Sequence, residues 1–177
     1  MDAVRAAADA FWLPALGQWQ RAVLSRALRL VGSPYVWAGT SERPQQLGAR
    51  LLPGGFDCSG LVWRVYKLEP YAGARRLATV LRGRTTYAMS GEVPRAARIA
   101  RPSLRAADLV FFGSRGTVSR PAEVGHMGIY LGNGWIVHSS DHGTTLVPMT
   151  GWYETRFAWG RSPLAEVGLG DGLGRRY

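Results

Sequence analysis

Apolar residues follow two different periods along this chain. In the first part they recur every three or four positions. Leu24, Ala27, Leu28 and Val31 form one such stripe and predict a helix over roughly 18–31. Upstream, residues 2–12 read as a short Ala-rich helix capped by Asp2, which Pro14 and Gly17 break from the next element. Leu61, Val62, Val65 and Leu68 form a second stripe starting at Cys58, so Cys58 is expected at a helix start. Leu77, Val80 and Leu81 predict a further short helix within 74–83. Residues 40–55, with two prolines and three glycines, and the Arg-rich stretch 84–105 show no clear period and read as loops. Beyond them the period falls to two. Strands are expected at 108–112, 126–131, 135–139, 144–148 and 156–161, with Gly132-Asn133-Gly134 as a hairpin signal. Helices first and antiparallel strands later make the class α+β.

Length and composition narrow this picture. A chain of 177 residues with 46% hydrophobic residues and seven tryptophans builds one ordinary globular core. Its single cysteine allows no internal disulfide. The first twenty residues carry Asp2, Arg5 and Asp9 among short apolar pieces and do not read as a signal peptide. No stretch approaches the roughly 20 apolar residues of a membrane span. The net charge of +10 favours polyanionic neighbours. Lys67 is the only lysine, and no zinc-finger spacing, aromatic-basic signature or phosphate loop accompanies the charge, so nucleic acid is not an expected partner.

Candidate chemistry centres on Cys58. Free cysteine is commonly just a small buried hydrophobe. At a helix start, however, a thiol meets the positive end of the helix dipole, which favours the nucleophilic thiolate. Asp57 and Ser59 are residue types that cap helices. A cysteine nucleophile needs a base, and the histidines are His126, His138 and His142. A two-residue Asn133-Gly134 turn would pair Gly132 with Trp135 and put His126 and His138 on opposite faces of the hairpin. A three-residue loop over 132–134 would set His138 opposite Gly128 and both histidines on one face, about 7 Å apart at the backbone. In that register Met127, Ile129, Leu131, Trp135 and Val137 face the core. The histidine face, with Gly128 leaving space, is then where a helix bearing Cys58 is expected to pack.

Four separated segments together resemble a known family. Phe56-Asp57-Cys58-Ser59-Gly60-Leu61-Val62, Asp108-Leu109-Val110-Phe111-Phe112, the run Gly125 to Gly134 and Ile136-Val137-His138-Ser139 look like the NlpC-type bacterial cell-wall cysteine peptidases. Pro34-Tyr35-Val36-Trp37-Ala38-Gly39 is similar to the family's tyrosine-bearing motif. The resemblance implies a papain-like fold, with the nucleophile helix on a C-terminal antiparallel sheet. It further implies hydrolysis of peptidoglycan stem peptides, usually after γ-D-glutamate. By position it makes Cys58 the nucleophile, His126 the base and His138 the orienting residue, with Tyr35 supporting the oxyanion. Asp57 and Ser59 match substrate-facing positions, and an Asp57 carboxylate could hold the free amine of a stem peptide. No metal or organic cofactor is implied. The expected organisation is an N-terminal extension (1–17), a peptidase domain (18–165) and a basic, Gly-rich tail (166–177). The expected location is secreted or cell-wall associated, with anionic wall polymer as a second partner. Two departures stand out: Ala38 replaces a usual glycine, and 41–54 is a longer insertion than the motif spacing shows, expected to rim the cleft with Arg43 and Arg50. An amidase or acyltransferase of the same fold, or a silent basic wall-binding module, are the alternative readings.

Overall fold

The computed structural model describes residues 16–170, so the expected helix at 2–12 and most of the C-terminal tail lie outside it. The first stripe folds as α1 (Gln18–Arg29), burying Val23, Leu24 and Ala27. The 40–55 stretch is more ordered than its composition suggests. It holds strands β1 (Thr40–Ser41), β2 (Gln45–Leu47), β3 (Arg50–Leu52) and β4 (Gly55–Phe56), with β2 paired to β3 and β1 to β4. Helix α2 (Cys58–Trp63) runs on as a wider π-helical turn over Arg64–Leu68. That widening rotates the stripe: Leu61, Val62, Val65 and Tyr66 are fully buried, while Leu68, expected inside, is 47% exposed. The 74–83 prediction appears as a 3₁₀ turn at Arg75–Thr79. The stretch expected to be irregular contains α3 (Thr86–Gly91), capped by the Thr85 hydroxyl, which accepts from the Ala88 N–H.

Five antiparallel strands follow: β5 (Leu109–Gly113), β6 (Val124–Gly132), β7 (Trp135–Ser140), β8 (Gly143–Pro148) and β9 (Phe157–Arg161). Helix α4 (Trp152–Arg156) precedes β9 and α5 (Pro163–Glu166) follows it. The sheet order is β8-β7-β6-β5-β9. Its β6–β7 hairpin reconciles the two expected registers. Asn133 and Gly134 both have positive φ, at 51° and 79°, and Gly132 pairs with Trp135, as in a two-residue turn. A register shift between Tyr130 and Gly132 then leaves Leu131 bulged, and Ile129 pairs with Val137. The bulge achieves what the three-residue loop was expected to do: His126 and His138 share a face.

The placement of α2 differs from expectation. Leu61, Val62 and Val65 pack in one core with Met127, Ile129 and Val137, on the sheet face opposite the histidines. Full burial of each such side chain contributes about 1.5–3 kcal/mol, so the stripe takes the apolar face. The space at Gly128 is used by the sheet itself, since a Cβ there would lie 3.2 Å from the His138 Cβ and 2.9 Å from the Val137 carbonyl. The histidine face carries a second, smaller cluster of Val110, Phe112, Ile136, Met149 and Phe157.

Candidate active site

Cys58, the first residue of α2, lines the same cleft as His126 near the start of β6. There its thiol accepts from the Met127 and Ser59 backbone N–H groups and lies 3.3 Å from the Thr86 Oγ1. Several contacts hold this corner. The Ser139 hydroxyl donates to the Phe56 carbonyl at 2.7 Å, tying β7 to the residue two before Cys58. The Val36 N–H donates to the Phe56 carbonyl and the Phe56 N–H to the Pro34 carbonyl, so the Tyr35 segment lies alongside. Arg161, 3% exposed, donates to the Met89 carbonyl at 3.1 Å and to Glu92 at 2.9 Å, fixing the far end of α3.

The two imidazoles are joined. His126 Nε2 and His138 Nδ1 are 2.8 Å apart, with the rings perpendicular. His138 Nε2 lies 3.2 Å from the Tyr153 hydroxyl. Phe112, Trp152 and Tyr153 surround His126 edge-on or tilted. His142, by contrast, is outside this group, with its side chain 85% exposed.

Burial dominates the electrostatics. It pushes His126 down to about 3, helped by the neighbouring His138, and His138 down to about 4 against the pull of Asp141. Burial also raises the Cys58 thiol, assisted by the Asp57 charge and opposed by the Thr86 hydroxyl and the two backbone N–H groups. Burial thus opposes the thiolate expected from the helix start, and it opposes imidazolium at His126 and His138. Tyr35, 36% exposed, is raised by burial and then by the charges of Cys58, Asp57 and Asp141.

These residues line one cleft of about 640 Å³, with Tyr35, Asp57, Cys58, Ser59, Arg84, Thr86, Tyr87, His126 and Asp141 on its walls. From the 41–54 insertion, Leu47 reaches the cleft. Arg43, expected on this rim, faces a separate hollow beside Arg64 and Glu69. Asp57 caps α2: its Oδ1 accepts from the Gly60 N–H at 2.5 Å and the Ser59 hydroxyl at 3.0 Å, and its Oδ2 from the Ala38 N–H at 2.8 Å. Ala38 sits at φ 62°, a left-handed conformation that explains why glycine is the usual residue there. Arg84, Thr86 and Tyr153 escaped the sequence reading. Thr85, a capping residue type three before Ala88, is the one local hint of α3; nothing in the sequence pairs Tyr153 with His138.

A perpendicular imidazole pair on an antiparallel sheet, one of whose rings shares a cleft with a thiol at a helix start, defines a papain-like α+β domain with a cysteine–histidine cleft. The NlpC/P60 family profile matches residues 32–161, and the chain belongs to that family. It is 32% identical over 130 residues to the probable endopeptidase Rv2190c of Mycobacterium tuberculosis, covering 72% of this chain and 26% of that protein. It is 35% identical over 122 residues to the bifunctional muramidase/DL-endopeptidase CwlT of Bacillus subtilis, covering 68% of this chain and 29% of that protein. The chain thus spans about a quarter of the length of these relatives. An NlpC/P60 family structure from Bacillus cereus superposes with a TM-score of 0.61 at 23% identity, covering 86% of this chain and 41% of that one.

Proposed function

We propose that this chain is a cysteine endopeptidase that cleaves peptidoglycan stem peptides, at the bond after γ-D-glutamate. The observation that carries the reading is that His126, bonded behind the cleft to the buried His138, lines the same cleft as Cys58. Family membership, and relatives named as endopeptidases, support it.

The chemistry follows from the hydrogen bonds. His126 Nε2 is taken by His138, which leaves His126 Nδ1 to serve the thiol. For Nδ1 to accept a proton, Nε2 must carry one and donate it to His138 Nδ1. His138 is then protonated on Nε2 and donates to the Tyr153 hydroxyl. Cys58 attacks the amide carbonyl as its proton passes to His126, since burial disfavours the charged form of both groups. The oxyanion is met by the Cys58 backbone N–H, at the first position of a helix where no intrahelical acceptor exists, and by the Tyr35 hydroxyl. The imidazolium protonates the leaving amine, and water, deprotonated by His126, releases the acyl group. Asp57 and Ser59 shape the substrate wall. Anionic wall polymer is a second partner drawn by the net charge of +10, and the enzyme works secreted or wall-associated.

Purified peptidoglycan digested with the protein and read by mass spectrometry tests this. New termini after γ-D-glutamate are expected. An unchanged muropeptide pattern with retained wall binding would replace the reading with the silent binding module.

A further inference from the structure

The carboxylate of Asp57 is already occupied by a cation from its own chain. Arg84 Nη2 lies 3.3 Å from Asp57 Oδ2, and Arg84 Nη1 lies 3.3 Å from Oδ1 and 2.7 Å from the Ser59 Oγ. The same guanidinium donates to the Ala38 carbonyl at 3.1 Å and the Gly39 carbonyl at 3.4 Å. A carboxylate offers about four lone-pair sites. Gly60, Ser59, Ala38 and Arg84 fill them. The arrangement is built in. A Cβ at residue 60 would meet the Gly39 carbonyl at 1.8 Å and Arg84 Nη2 at 2.9 Å, so glycine there is what lets the guanidinium in. Glu92, itself paired to Arg161, accepts from the Arg82 and Gly83 N–H groups and so holds the turn that delivers Arg84.

What this corner shows the cleft is positive. The Arg84 side chain is 30% exposed against 11% for Asp57. The other carboxylate lining the cleft, Asp141, has an 83% exposed side chain, where water and salt screen it. An ammonium brought to Asp57 would find its acceptors used and a like charge beside them. A neutral amide would meet neither penalty.

We propose that Arg84 closes the Asp57 corner to a free amino terminus, so that the cleft selects stem peptides whose amino terminus is acylated, as it is while the stem remains attached to glycan. This deepens the endopeptidase reading and rests on it for the identity of the peptide.

Two probes test it: L-Ala-γ-D-Glu-L-Lys with a free amino terminus and its N-acetyl counterpart. Calorimetric binding to the Cys58→Ala protein should favour the N-acetyl peptide by about tenfold. Arg84→Lys, which keeps the charge, should retain the preference; Arg84→Met should erase or reverse it. Equal or tighter binding of the free-amine peptide to the protein carrying Arg84, or binding of neither probe, would overturn the proposal. An unchanged ratio in folded Arg84→Met would do the same. Because that comparison begins with Arg84 in place, it stands even if Arg84→Met fails to fold. Binding preference for the N-acetyl peptide without hydrolysis of peptidoglycan by the unaltered enzyme would support this inference while removing the endopeptidase reading.

Discussion

Replacing His138 separates orienting from structural roles more sharply than any other change in the site. The residue is 1% exposed, its Nδ1 is 2.8 Å from His126 Nε2 and its Nε2 is 3.2 Å from Tyr153. In His138→Ala the His126 Nε2–H loses its acceptor in a buried place, at a cost of about 1–3 kcal/mol. At about 1.4 kcal/mol per factor of ten, that cost predicts a loss of about 5- to 150-fold in turnover. His126 can avoid the cost only by moving its proton to Nδ1, where it no longer serves as a base. Asn places an amide oxygen at the same bond count from Cα as Nδ1, so His138→Asn should stay within about fivefold of the unaltered enzyme. Gln reaches one bond further, toward Tyr153, and should fall between the two. Steady-state kcat and KM on a soluble stem peptide, with melting temperatures alongside, give the order. The losses should appear in kcat. Equal losses for all three variants, or losses that merely track melting temperature, would refute the orienting role.

Acid should destabilise the fold. His126 and His138 have folded values of about 3 and 4, below their ordinary 6.5, so the unfolded chain binds their protons more readily. The stability they contribute is complete above pH 6.5 and is lost as pH falls below it. Asp108 opposes this, because burial lifts it to about 6 and folding then favours its proton. Between pH 7 and 5 each histidine withdraws about 2 kcal/mol and Asp108 returns about 1, a net loss of about 2–3 kcal/mol. Urea unfolding at the two pH values checks it; equal stability would contradict it. Ala38→Gly relieves the left-handed backbone at φ 62° and should raise stability by about 0.5–1 kcal/mol, or about 2 °C in Tm. A lower Tm would show that the methyl group packs usefully. Raising salt should weaken binding to intact walls more than cleavage of a small soluble peptide, since the cleft is screened less than the surface charge of +10. Equal sensitivity of the two in one salt series would argue against wall recruitment by charge.

Strong periods carried most of the fold into the sequence. The helix at 18–29 was legible because its apolar positions repeat every three or four, and the strands of the main sheet as short β-branched and aromatic runs between turn signals, β5 and β9 being buried at every position. Cys58, His126 and His138 were legible as candidates from the order of the motifs, whereas the Asn133-Gly134 turn taken alone would have put the two histidines on opposite faces. What stayed hidden depends on contacts between distant segments. The bulge at Leu131 is set by strand pairing, and Leu68 was turned outward by a π-helical turn that no period announces. The sequence Thr86-Tyr87-Ala88-Met89-Ser90-Gly91 has no stripe, so its helix came from the Thr85 cap and from Arg161 bonding at its far end. Arg84 reaches Asp57 across 27 positions, and a guanidinium in an Arg-rich stretch gives no sign of its partner.

Turnover by Cys58→Ala tests the central claim most directly. The variant removes one sulfur that is held by Thr86 and two backbone N–H groups, and should leave the melting temperature close to that of the unaltered chain. With soluble stem peptide and mass-spectrometric detection, the unaltered enzyme should release the two fragments and the folded variant should release none above background. Cleavage by folded Cys58→Ala at more than a trace of the original rate would contradict the account, because no acyl intermediate could then form on residue 58.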